Sequence, residues 1–173
     1  MRVIELTEDN SYEYPLISML QARSREGDEL LLHSGGPVTD LSQRSMLPAL
    51  DSIRFLFFEP YREDTPTGSA LRGEIHLGTP PPLNLVRQRL LEGRWTTEVE
   101  YNPATLEQAL SIVAEHEIEV EMNEQHSIIP GGFAGLLGYD LGRWSNSIRL
   151  VNTPEPGTLL GVLWRCDAWW IHE

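Results

Sequence analysis

The chain has 173 residues, 40% of them hydrophobic and 23% charged, enough for one domain that buries a core of its own. Its formal net charge of −13 repels a phosphate backbone and argues against a nucleic-acid partner. All 13 basic residues are arginine and Cys166 is the single cysteine, which excludes lysine nucleophiles, Schiff bases, a P-loop lysine and an internal disulfide.

No apolar run is long enough to span a bilayer. The N-terminus, "MRVIELTEDN", has no apolar h-region, so a cytoplasmic location is expected. Arg2 to Thr7 alternates and predicts a short strand. The stretch from Tyr14 to Gly27 predicts a helix, with Pro15 in its first turn and Gly27 at its end. Glu29 to Gly36 reads as a strand entering a turn, and Pro37 to Asp51 as polar and irregular chain. Ser52 to Pro60 is aromatic and β-branched, a strong strand stopped by proline.

Tyr61 to Gly73 has the composition of an exposed loop. Glu74 to Leu77 is a candidate strand, and "GTPPP" interrupts the chain. Leu83 to Gly93 predicts a short helix closed by Gly93, and Trp95 to Tyr101 alternates as a strand. A helix follows, with Asn102 as N-cap, Pro103 at its first position, and Leu106, Ala109, Leu110 and Val113 on one face. Thr158 to Glu173 reads as two strands or one bent strand. Helices and strands mix without a regular βαβ alternation, which predicts an α+β fold with mixed, largely antiparallel sheets and packed helices.

The run from Pro130 to Trp144, "PGGFAGLLGYDLGRW", holds five glycines in fifteen residues. It lacks the lysine of a Walker A loop and the spacing of a dinucleotide fingerprint. It fits a strand whose glycines admit another backbone or a ligand, followed by a helix with Asp140 near its positive end. Ser34 precedes two glycines at a strand end. Such a turn either bonds its own backbone, the commoner case, or offers its amides to an anion.

Glu117, Glu119 and Glu121 alternate with apolar residues and read as a solvent face of a strand. No metal site is expected there, because a hard cation needs convergent oxygens. His116 and His126 have no paired-ligand spacing. Cys166, in strand-like surroundings, reads as a small buried hydrophobe. Trp164, Trp169 and Trp170 crowd the C-terminus; they form a core edge or, on a sharper reading, pack against further protein. No convergent acid–base or nucleophile set is visible, so no catalytic residue is assigned.

Gly131, Gly132, Gly135, Gly138, Tyr139, Asp140 and Arg143 resemble a signature near the end of the N-terminal domain of chorismate-utilising synthases. These are the large components of aminodeoxychorismate synthase (para-aminobenzoate synthase) and anthranilate synthase. "YPLISMLQ", "LLLHSG", "FLFFEP", "NPATLEQALSIV" and "LLGVLWRCDAWWIHE" resemble further segments of that domain, in order. Histidine before the serine, at His33, resembles the aminodeoxychorismate branch; anthranilate synthases usually have glutamate there.

The resemblance implies that residues 1–173 form one N-terminal domain with the anthranilate synthase component I N-terminal fold. The chorismate site, its Mg2+ and the catalytic lysine would lie in a C-terminal domain absent from this chain. It also implies a glutamine amidotransferase subunit and the chain's own C-terminal domain as partners. A buried L-tryptophan is a further implied ligand, bound at Ser34 and Arg54 with Tyr139 nearby. The link from Ser34 to Arg54 is longer than in the family. A stand-alone module that binds an aromatic amino acid or a partner is the alternative from another class.

Overall fold

The computed structural model of the chain describes residues 2–5, 28–32, 45–61, 80–118, 132–145 and 154–172. Strands β1 (Arg2–Glu5), β2 (Ser45–Phe58), β3 (Asn84–Leu91) and β4 (Arg94–Tyr101) precede helix α1 (Leu106–Ala114). Strand β5 (Phe133–Leu137), a 3₁₀ helix (Tyr139–Trp144) and β6 (Leu159–His172) follow. The six strands form one sheet in the order β1-β6-β2-β3-β4, and β5 also pairs with β6. Among the described residues only β1–β6 is parallel. The expected α+β class with a largely antiparallel sheet is what the chain forms. Among the described residues no helix is long and apolar enough to cross a membrane.

β6 is the spine of this sheet. One margin pairs with β2 along nearly its whole length, and the other takes β5 opposite Gly161–Arg165 and then β1 opposite Ala168–Ile171. The C-terminal stretch is therefore one strand. Alternation along β2 sends Ile53, Phe55 and Phe57 to one face of the sheet and Arg54, Leu56 and Phe58 to the other. The first set packs with Leu83, Leu85 and Leu160 against Ala109 and Val113 of α1 and Leu141 and Trp144 of the 3₁₀ helix. Phe55 and Phe57 are fully buried, each stabilising the fold by about 2–3 kcal/mol relative to exposure. On the other face Leu56, Val86 and Val162 form a second cluster.

Three sequence expectations are corrected. Leu83 to Gly93 is not a helix: Asn84–Leu91 is β3, joined to β4 by Glu92 and Gly93. These two residues have φ of 51° and 76°, the positive pair that a two-residue hairpin turn needs. Leu85 and Val86 are consecutive yet both buried, because the sheet is covered on both faces. A run of adjacent apolar residues in such a strand mimics a helical stripe.

Residues 45–51 are not irregular; they open β2. Pro48 is tolerated there because Met46 exchanges both backbone hydrogen bonds with Leu32, at 2.9 and 2.7 Å. By alternation Pro48 also turns its nitrogen away from β6.

Asn102 and Pro103 do not start α1. The Leu83 amide bonds the Pro103 carbonyl at 2.9 Å, so the strand ladder still holds this segment. The cap is Thr105, whose hydroxyl accepts from the Gln108 amide at 3.1 Å, while Gln108 Oε1 accepts from the Ala104 amide at 2.9 Å, a near capping box. Ala109 and Val113 face the core and Leu106 packs beside it, but Leu110 is 37% exposed.

The helix expected over 14–27, the loop over 62–73, the strand over 74–77, Ser34, Gly131, Glu119, Glu121 and His126 lie outside the described residues.

Candidate functional site

A polar cluster sits on the face of the sheet opposite α1. Ala134, Trp164, Arg54, Gln88 and Thr97 are register partners across β5, β6, β2, β3 and β4, so their side chains share that face. Arg54 Nε and Nη2 donate to Gln88 Oε1 at 2.9 and 2.8 Å, and Nη1 donates to Asp28 Oδ2 at 2.5 Å. Its guanidinium lies 4.1 Å from the Trp95 ring centroid, a cation–π contact. Trp164 Nε1 donates to the same Asp28 oxygen at 2.6 Å, and Gln88 Nε2 donates to Thr97 Oγ1 at 3.3 Å. The arrangement holds the Asp28 carboxylate between the Arg54 guanidinium and the Trp164 indole. An incoming ligand carboxylate would compete with Asp28 for Arg54 and the Trp164 indole.

Tyr139 stands apart from this cluster. It begins the 3₁₀ helix and is 79% exposed. The Gly138 amide bonds the Leu160 carbonyl at 2.7 Å, four residues along β6 from Trp164, on the order of 13 Å at strand rise. Arg54 and Tyr139 are thus not drawn to one point, and Ser34 lies outside the described residues.

The glycine-rich run acts through close backbone approach. A Cβ at Gly135 would come within 1.9 Å of the Val162 carbonyl oxygen, and one at Gly138 within 2.6 Å of the Leu160 oxygen. Only glycine lets β5 press this closely on β6. Asp140 occupies the first turn of the 3₁₀ helix and Arg143 its last. Arg143 donates to Glu59 Oε2, and the side chains are only 8% and 2% exposed. The guanidinium also lies 4.4 Å from the Trp144 ring centroid, and Trp144 Nε1 donates to the Pro81 carbonyl at 2.8 Å. This buried pair ties the end of the glycine run to the end of β2. Sequence reading singled out Arg143 but missed Glu59, because nothing along the chain marks a carboxylate before a proline as a buried counter-charge.

On the α1 face, His116 Nδ1 bonds the Ile112 carbonyl at 3.0 Å and Nε2 meets Arg87 Nη1. Arg165 pairs with Asp51, its Nε donating to Asp51 Oδ2 at 2.5 Å. The hydrogen bond from Arg89, helped by Arg87, holds the exposed Glu98 carboxyl below its ordinary range. The stabilisation from that pairing is present above the carboxylate range and is lost as pH falls through it. Among the described residues no three of His, Cys, Asp and Glu converge to hold a metal ion.

Cys166 is fully buried with Ala134 and Trp169, as its surroundings in the sequence led one to expect. Trp169 thereby belongs to the core. Burial pushes the Cys166 thiol up to about 12 from an ordinary 9.0. The folded chain therefore carries on the order of a thousandfold less thiolate near pH 8 than the unfolded chain. The folded value lies above the unfolded one, so this contribution to stability is intact below the unfolded pKa and fades as pH rises past it. Native protein at about pH 8 is expected to react with a disulfide reagent at least about 100-fold more slowly than urea-unfolded protein. Comparable rates would show that the thiol is accessible.

Compared with known proteins, the chain matches no family model, no curated protein and no solved structure.

Proposed function

We propose that this chain is a non-catalytic N-terminal domain of an aminodeoxychorismate synthase large component, with the fold of the anthranilate synthase component I N-terminal domain. The complete enzyme aminates chorismate to 4-amino-4-deoxychorismate for para-aminobenzoate and folate synthesis, in the cytoplasm. Its Mg2+ and catalytic lysine belong to the C-terminal domain, and a glutamine amidotransferase subunit supplies ammonia. The observation that carries this reading is the signature from Gly131 to Arg143. It is supported by the use the chain makes of those residues: Gly135 and Gly138 where backbones touch, and Arg143 as a buried anchor. His33 before Ser34 favours this branch over anthranilate synthase.

The deciding experiment is an immunoblot of the native gene product, followed by assay with chorismate and ammonia. A band more than twice the 19.6 kDa of this chain, with aminodeoxychorismate formed, is the expected result. Fluorescent anthranilate as product would move the chain to the other branch, and a band at 19.6 kDa would make it a stand-alone module.

The proposed tryptophan site has its own test. L-tryptophan titrated calorimetrically into the chain is expected to bind. Arg54→Met is expected to weaken that binding at least about tenfold, the worth of one charge-assisted hydrogen bond. Unchanged affinity in the variant would remove Arg54 from the site.

A further inference from the structure

Two ion pairs of the sheet differ in a way that bears on ligand binding. Arg143 and Glu59 are sealed from solvent, whereas the Arg54 and Asp28 side chains keep 18% and 29% exposure. A dissolved molecule can therefore reach the second pair. Arg54 also does not depend on Asp28 for its place. Its Nε and Nη2 are fixed on Gln88 Oε1, and Gln88 is itself bonded to Thr97. Trp95 covers the guanidinium at 4.1 Å from its ring centroid. Nη1 is the nitrogen that turns to Asp28.

Trp164 supplies a second donor from the neighbouring strand. Arg54 and Trp164 are register partners across β2 and β6, directly past a register shift between Leu50 and Arg54. Such a bulge re-aims the side chains beside it. Arg54 Nη1 and Trp164 Nε1 meet at one oxygen, Asp28 Oδ2, at 2.5 and 2.6 Å. The two donors are thus set by the sheet and need no ordering when an acceptor arrives, which favours binding. Asp28 reaches them from outside the strands. Its segment, residues 28–32, bonds the sheet backbone at Leu32, through Met46.

We propose that Asp28 is an internal competitor: its carboxylate occupies the seat formed by Arg54 Nη1 and Trp164 Nε1, and a ligand carboxylate binds there by displacing it. The resident group defines the class of ligand. One guanidinium matches one negative charge, so a monocarboxylate replaces Asp28 without leaving a charge unpaired. Occupancy by Asp28 sets a threshold for binding. A seat that is open about a tenth of the time binds its ligand about tenfold more weakly than one that is always open. The inference rests on the reading of Arg54 as a ligand-binding residue and adds to it a restraint imposed by the chain itself.

Asp28→Ala tests it with two probes. In calorimetry the variant is expected to bind L-tryptophan at least about tenfold more tightly than wild type. Sodium acetate is expected to change the variant's tryptophan fluorescence saturably, beyond sodium chloride at equal ionic strength, and at a concentration at least about tenfold lower than in wild type. Equal or weaker tryptophan binding by the variant keeps the ligand reading and overturns the inference. A variant that acetate does not fill, or fills no more readily than wild type, also overturns it and makes Arg54–Asp28 a structural salt bridge. Acetate filling the variant while neither chain binds tryptophan removes tryptophan as the ligand and upholds the competing carboxylate. Should circular dichroism show that Asp28→Ala fails to fold, Asp28→Ser also removes the carboxylate and carries the test on the same criteria.

Discussion

Arg143→Ala is expected to lower the unfolding free energy by about 3–5 kcal/mol, the range for removing one partner of a buried ion pair. Glu59 and Arg143 are 2% and 8% exposed at their side chains, so water cannot replace the lost counter-charge. The guanidinium also packs on Trp144, whose indole is fixed to the Pro81 carbonyl. Its loss should therefore loosen the 3₁₀ helix along with the ion pair. Chemical denaturation monitored by tryptophan fluorescence measures the effect. The double variant Glu59→Leu/Arg143→Met is expected to recover most of the loss, since apolar groups of similar volume often match a buried ion pair. A cost below about 1 kcal/mol for Arg143→Ala would place the pair among surface salt bridges and remove it as the anchor of the glycine run.

Gly135→Ala is expected to cost about 3 kcal/mol, the upper end for overpacking. The added methyl would lie 1.9 Å from the Val162 carbonyl oxygen and 2.9 Å from the Leu163 Cα. Both are backbone atoms of the sheet's central strand, and neither can rotate aside. The variant must move β5 off β6 or break part of their ladder. Gly138→Ala meets one backbone oxygen at 2.6 Å, at the end of the strand, and is expected to cost less. Urea midpoints of the two variants test the order. A Gly135→Ala midpoint equal to wild type would show that the spacing of β5 and β6 does not depend on glycine.

Several elements were legible because their signals are local. β4 alternates, Ser52 to Phe58 is aromatic and β-branched, and Phe133 to Leu137 lies among the spaced glycines Gly132, Gly135 and Gly138. β3 reads as a helix in the sequence because burial on both faces removes alternation, and Leu85 beside Val86 then looks helical. The sequence starts α1 too early because Asn102 and Pro103 make a plausible cap in isolation. Only the bond from Leu83 to Pro103 shows that the segment still belongs to the hairpin.

The candidate site divides in the same way. The sequence by itself determined that Gly135, Gly138 and Arg143 mattered, that Cys166 would be buried, and that lysine chemistry and a disulfide are impossible. The glycines, the cysteine and the missing lysine are read from residue type, from a missing Cβ, a small thiol or an absent amine, whereas Arg143 is marked only by the resemblance. The tertiary structure alone decided that Arg54 meets Asp28, Gln88 and Trp95, that Glu59 answers Arg143, and that Trp164 shares the Asp28 oxygen with Arg54. Each of these joins residues far apart in the chain, or turns on the parity of a strand ladder. Pairing register is set by which neighbours a strand finds, and a single step of register exchanges inward for outward at every residue.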